Sequence, residues 1–194
     1  LEELNEMVRV INAKSQGETE RVRISTGEIF PTNVAPILLT GKLGHYSPVA
    51  MKWGFPRWDN KGVIINARQE TISEKSMFKN SFKTKRCIVP ASGFYEWNKK
   101  DVSVKNTPSD KLDKSFMSMA GIWNVFKQPD GSLVNSFVIL TTEANETVGA
   151  YHNRMPVILV GQEREAWLRD VEAASQILRD GNRPELVVKE ASAS

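Results

Sequence analysis

Short apolar runs, several of them cut off by proline or glycine, constrain this chain more than any other feature. Val49, Met51, Trp53 and Phe55 alternate with Ala50, Lys52 and Gly54 until Pro56 ends the series. A period of two is the mark of a strand with one buried face, and proline stops it by removing a ladder donor. Further strands are predicted over 21–25, 37–39, 63–65, 87–89, 94–97, 116–123, 136–142, 155–160 and 186–188. Pro31 to Pro36 is turn-rich, and Pro129-Asp130-Gly131 reads as the turn joining two of these strands. Helical spacing is rarer. Leu1, Leu4, Met7, Val8 and Ile11 recur on one face. Helices are also predicted over 163–169 and 172–179, a helical turn over 70–76, and a helix over 143–150 with Thr142 as its N-cap. Residues 12–20 read as a loop and the polar stretch 98–114 as a mobile connection. Many short strands with few helices predict an α+β fold, a single domain over 1–194 built on a mostly antiparallel sheet with a few flanking helices.

Composition narrows the function classes. The chain has 194 residues, with 40% hydrophobic and 25% charged, enough for one sizeable core. No apolar run approaches the ~20 residues of a membrane helix, so no membrane partner is expected and a cytoplasmic location is the default. One cysteine and two histidines cannot build a Cys/His zinc site, and no compact acidic cluster suggests another metal. No cofactor or metal is expected. The net charge of +3 permits a polyanionic partner without requiring one.

Three segments place polar residues where a core would not need them. In Asn66-Ala67-Arg68-Gln69-Glu70-Thr71, Asn66 ends an apolar strand and Arg68 offers a fork suited to phosphate. Alone, the segment reads more readily as a capped turn with a surface arginine. In Gly93-Phe94-Tyr95-Glu96-Trp97 a carboxylate sits among aromatics, which raises its pKa and suits proton transfer. A Glu96 on the outer face fits that segment equally well. In His152-Asn153-Arg154-Met155-Pro156 an imidazole follows a helix and precedes a strand. It is the side chain most easily tuned near neutral pH, although a lone loop histidine is more often structural. Trp53 and Phe55 read as core. Trp58, beside Arg57, is an exposed stacking candidate for unpaired bases. Lys79, Lys83, Lys85 and Arg86 form a basic run that could face a nucleic-acid backbone. Cys87 lies in an apolar strand and reads as a small hydrophobe. Paired with His152 it would make a thiol hydrolase, an alternative to nucleic-acid chemistry, and a non-catalytic single-stranded nucleic-acid module is a second.

Taken together and in order, these segments are far more specific. Pro-Thr-Asn-Val-Ala-Pro at 31–36, Trp-Gly at 53–54, Asn-Ala-Arg-Gln-Glu-Thr at 66–71, Gly-Phe-Tyr-Glu-Trp at 93–97, Met-Ala-Gly-Ile-Trp at 119–123 and His-Asn-Arg-Met-Pro at 152–156 run through most of the chain. This set resembles the SRAP (SOS response-associated peptidase) family, and implies its barrel-like fold. The resemblance implies binding of single-stranded DNA at abasic sites in the DNA-damage (SOS) response, as a monomer, at the nucleoid when DNA is damaged. It also implies covalent capture by an N-terminal cysteine as a thiazolidine, after self-removal of the initiator Met. Asn66, Glu96 and His152 match the family's catalytic positions, while Arg68, Trp58, Arg57, Arg154 and Asn33 match positions expected at the DNA. The sequence begins Leu1-Glu2-Glu3-Leu4. The working cysteine is therefore expected upstream of Leu1, and the chain as it stands is expected to bind DNA without crosslinking.

Overall fold

In the computed structural model, residues 2–14, 24, 26–41, 45–59, 61–98, 100–106, 116–181 and 184–190 are described. In chain order the elements are α1 (Glu2–Lys14), β1 (Val34–Thr40), β2 (Tyr46–Trp53), β3 (Phe55–Pro56), β4 (Val63–Ile64) and β5 (Asn66–Arg68). A 3-10 turn (Gln69–Thr71) leads to α2 (Ser76–Thr84), β6 (Arg86–Ala91), β7 (Phe94–Asn98) and β8 (Lys100–Asn106). Then come β9 (Met117–Lys127), β10 (Leu133–Glu143), α3 (Glu146–Gly149), β11 (Arg154–Pro156), α4 (Glu163–Arg169), α5 (Val171–Asp180) and β12 (Leu186–Glu190).

The main sheet runs β11-β10-β2-β1-β6-β9, and β10 pairs back onto β9. Strands β10, β2, β1, β6 and β9 thus close into a barrel, which removes the open edges of the sheet. Closure has one cost in regularity. β2 and β5 both meet β10 in parallel, at Ser136 to Phe137 and at Ile139 to Thr141. Between them the chain leaves through Gly54, whose φ of 118° an L side chain rarely adopts. A Cβ there would also sit 2.8 Å from Val63 Cγ2. Strands β7, β8 and β12 form a second, antiparallel sheet.

Both faces of β1, β6, β9 and β10 are buried along much of their length, so these strands read as near-continuous apolar runs, while β2 stays mostly half-buried. Leu38, Ile88, Ile122, Val138 and Leu140 pack with Phe78 and Phe82 of α2, Trp167 of α4 and Leu178 of α5. Their neighbours Ile37, Cys87, Val89, Phe137 and Ile139 pack with Val148 of α3, Met155 and Leu186. Helix α1 buries Val8 and Ile11 with Ile24 against Val34 and Ala50.

Several sequence expectations change. The stretch 98–114 is not a plain connection. Lys100–Asn106 forms β8, which pairs with both β7 and β12. Backbone pairing on two sides overrides a polar composition; residues 107–115 lie outside the described residues. The strand expected over 21–25 also lies outside them, apart from buried Ile24. Helix α2 was not anticipated beyond a turn over 70–76, although Phe78 and Phe82, four apart, carry its signal. The helix expected over 143–150 shrinks to α3, and its cap is Asn145, whose Oδ1 accepts from Val148 N at 2.9 Å. Thr142 stays inside β10, where pairing with Met155 holds it. Arg86 is not part of an exposed basic run. It is buried, and its guanidinium donates to Phe82 O, Lys83 O and Trp167 O, the free carbonyls at the ends of α2 and α4. Lys85 is half-buried, over the Trp123 ring and bonded to Asn124 Oδ1 at 2.6 Å. Lys79 and Lys83 remain exposed.

Gly121 marks a close approach between the paired strands β6 and β9. A Cβ there would lie 2.8 Å from Cys87 Sγ, 3.0 Å from Val89 Cγ2 and 3.2 Å from the Val138 carbonyl oxygen. Gly121→Ala is therefore expected to lower the unfolding free energy by about 1–3 kcal/mol through overpacking. Urea unfolding should show a lower midpoint at unchanged slope, and an unchanged midpoint would contradict the closeness of the approach.

Candidate active site

Glu96, from the second sheet, and His152, from the loop between α3 and β11, meet. Glu96 lies in β7, paired with Val102 of β8. His152 follows α3, and its backbone N donates to the Val148 carbonyl at 2.9 Å. The two regions are joined through Asn145. Its Oδ1 caps α3, and its Nδ2 donates to Pro184 O at 3.0 Å, just ahead of β12 in the Glu96 sheet. The result is a distance of 3.8 Å from His152 Nδ1 to Glu96 Oε2.

The surroundings of the pair suit proton transfer. The Glu96 side chain is only 20% exposed. Burial pushes its carboxyl up from the ordinary carboxylate range, and the neighbouring His152 pulls part of the way back. His152 Nδ1 is 3.1 Å from both the backbone N and the backbone O of Arg154. The Arg154 N–H can donate to Nδ1 of a neutral ring, while the Arg154 carbonyl and Glu96 can accept a hydrogen bond from a protonated Nδ1. Each protonation state thus has a partner, as a shuttle requires.

Asn66 opens β5, exposed and level with Ile139 on β10. Its side chain has no hydrogen-bond partner among the described residues, so both its acceptor and its donors are available to a ligand. The structure gives it no contact with Glu96 or His152. Arg68, at the far end of β5, is exposed. It lines a polar cleft of about 450 Å³ together with Glu143, Ala144, Gly149, Asn153 and Arg154. Arg154 is committed to protein: its two terminal nitrogens donate to Glu70 at 2.7 and 2.9 Å, and Nη2 also donates to Thr141 O at 2.6 Å. Glu70 was overlooked as a site residue in the sequence, since its partner lies 84 positions away.

Trp58 is 88% exposed, the most exposed large hydrophobic residue among those described. Beside it, Arg57 Nε donates to Asp59 Oδ1 at 3.4 Å. Trp53 is structural, stacked on Phe137 and donating its ring N–H to Ile65 O. Asn33 is exposed and closes a turn, its Oδ1 accepting from Phe30 N at 3.0 Å. Cys87 is fully buried, and burial pushes its thiol far up. A buried, protonated thiol removes the thiol-hydrolase alternative. Among the described residues no group of three or more His, Cys, Asp or Glu could hold a metal ion, and no helix is long and apolar enough to cross a membrane.

Comparison with known proteins gives a consistent set of relatives. The sequence matches the SOS response associated peptidase (SRAP) family over residues 2–193. It is 38% identical over 153 residues to the abasic site processing protein YoqW of Bacillus subtilis (strain 168), covering 73% of this chain and 68% of that protein. It is 31% identical over 175 residues to the abasic site processing protein HMCES of Xenopus tropicalis, covering 71% of this chain. The alignment takes in 52% of that protein, so the chain spans about half its length. A solved protein of Bacteroides thetaiotaomicron has a TM-score of 0.69 at 25% identity, over 83% of this chain and 75% of that one. A protein of Bordetella bronchiseptica has a TM-score of 0.70 at 24% identity, over 85% and 87%, a likeness of fold.

Two outcomes are expected. Iodoacetamide should leave Cys87 unmodified in the folded protein and label it once in denaturant; labelling at equal rates would contradict its burial. The folded Glu96 carboxyl holds its proton more tightly than the unfolded one. The stability it contributes is present below the ordinary carboxylate range and lost as pH rises through the raised folded value. Glu96→Gln should thus raise Tm at neutral pH and have a smaller effect near pH 4. A loss of Tm at neutral pH would contradict the burial cost.

Proposed function

The chain belongs to the SOS response-associated peptidase family, and from that premise we propose that it recognises abasic sites in single-stranded DNA and processes them in the response to DNA damage. The observation that carries the reading is the half-buried Glu96 carboxylate 3.8 Å from the His152 imidazole, in a family whose relatives are named for abasic site processing. The protein acts as a monomer in the cytoplasm, at the nucleoid when DNA is damaged.

An abasic sugar in its open form is an aldehyde. With a cysteine at the N-terminus, as the family resemblance implies, the α-amine adds to the aldehyde carbon and the hemiaminal loses water to give an imine. The thiol then adds to the imine carbon, the proton moves to nitrogen, and a five-membered thiazolidine remains. Ring opening, hemiaminal formation and loss of water each need a proton delivered or removed. Glu96 and His152 supply that transfer. Asn66 holds the sugar or the amine through its free amide. Arg68 and Arg57 meet phosphates, Trp58 stacks an unpaired base, and Asn33 and Arg154 border the strand. Cys87 takes no part. It is buried, and an internal residue has no α-amine to close the ring.

The test is a denaturing gel of the cysteine-bearing version with an abasic single-stranded oligonucleotide. A shifted covalent band is expected, formed about 10²–10⁴-fold more slowly with Glu96→Gln, while equilibrium binding measured by fluorescence anisotropy stays nearly unchanged. No band from the intact N-terminus would overturn the proposal. A band indifferent to Glu96→Gln would favour a binding module whose chemistry lies elsewhere.

A further inference from the structure

We propose that Glu70 is a positioning residue for the Glu96–His152 pair: by gripping Arg154 with both carboxylate oxygens it fixes the His152 ring opposite Glu96. The inference rests on the proton-handling role given to that pair above, and extends it to a residue that touches neither partner.

The geometry is a relay of three links. Glu70 sits in the 3-10 turn directly after β5, which is tied to β10 at Ile139 to Thr141. Arg154 opens β11, which pairs with the same stretch of β10 at Thr141 to Glu143. Thr141 is therefore flanked by Arg68 of β5 on one side and Pro156 of β11 on the other. The Arg154 side chain crosses this end of β10. It donates to the Thr141 carbonyl on the way and finishes on Glu70 at 2.7 and 2.9 Å. Two parallel bonds from a planar fork fix angle as well as distance, which one bond cannot do. The third link is the backbone. The N and O of Arg154 are each 3.1 Å from His152 Nδ1, so where Arg154 is held, the ring is held.

Glu70 has a reason to be there other than stability. Its side chain is 44% exposed and that of Arg154 17%. The Glu70 end of the pair is open to water, which screens its contribution to folding. The terminal nitrogens of the fork carry the bonds to Glu70, and its buried Nε has no partner among the described residues. No other carboxylate is bonded to that fork among the described residues.

The test is a carbon-13 NMR titration of the Glu96 side-chain carboxyl in the 194-residue chain, assigned by comparison with Glu96→Gln. His152 pulls the Glu96 titration down. If Glu70 holds that ring in place, Glu70→Gln shifts the Glu96 midpoint upward, in the same direction as His152→Gln. Added to His152→Gln it gives no further upward shift. A role through charge alone gives the opposite sign, because removing an anion and freeing the Arg154 cation both favour ionised Glu96. A midpoint that falls or stays put in Glu70→Gln overturns the proposal. Thermal unfolding of Glu70→Gln should match the parent. If that variant does not fold, Glu70→Asp keeps the charge, shortens the reach and is expected to shift the midpoint upward by the same logic. Binding of an abasic oligonucleotide is measured in parallel. A protein that ignores that DNA contradicts the proposed function, whereas an unmoved Glu96 midpoint contradicts only the positioning role of Glu70.

Discussion

Strand β10 is the member on which the rest of the molecule depends. It closes the barrel by pairing with β9 and β2, and it then continues past the closure to carry β5 and β11. Those two three-residue strands would not hold by themselves. Their register on β10 sets Asn66 level with Ile139, Arg68 level with Thr141 and Arg154 level with Glu143. A slip of one residue would turn every side chain on them to the other face. The barrel thus supports Asn66, Arg68, Glu70 and Arg154 on short appendages at one end of β10, while Glu96 reaches the site from the second sheet.

The core and the site are held by different forces. The core is apolar and filled from both faces, with Trp167, Phe55 and Phe137 fully enclosed. The site is held by directed polar contacts: the Asn145 bridge to Pro184 and the Arg154 fork on Glu70. Directed contacts fix angles that apolar packing leaves loose. They also tolerate the one feature a stable core would reject, a carboxylate held partly out of water beside an imidazole. Perturbed carboxylates of this kind gather at functional sites because the work requires a proton held close to its point of release.

Much of the barrel was legible in the sequence, and for stated reasons. The runs at 87–89, 116–123 and 136–142 and the turn at Pro129-Asp130-Gly131 carry local signals, and the strands form there. The alternation from Val49 to Phe55, by contrast, is split at Gly54 into β2 and β3, and Pro56 lies inside β3 instead of ending the strand. What was illegible depends on distant partners. β8 is polar in composition and exists because β7 and β12 flank it. Arg86 looks like one more surface cation until two helix ends converge on it. Thr142 is a cap by type, though a weaker one than Asn145, and strand pairing claims it. Within the site, Asn66, Glu96 and His152 were each ordinary alone and stood out only by their ordered company. The structure then joins Glu96 to His152, while Glu70 surfaces only once the fold brings Arg154 across 84 positions.

The most direct measurement is the pH dependence of covalent capture of abasic single-stranded DNA by the cysteine-bearing version, compared with Glu96→Gln. If Glu96 and His152 move the protons, the parent rate falls on the acid side through a midpoint above the ordinary carboxylate range, and Glu96→Gln loses that limb. An acid limb that is the same in both proteins would show that the carboxylate beside His152 is not the group that handles the proton.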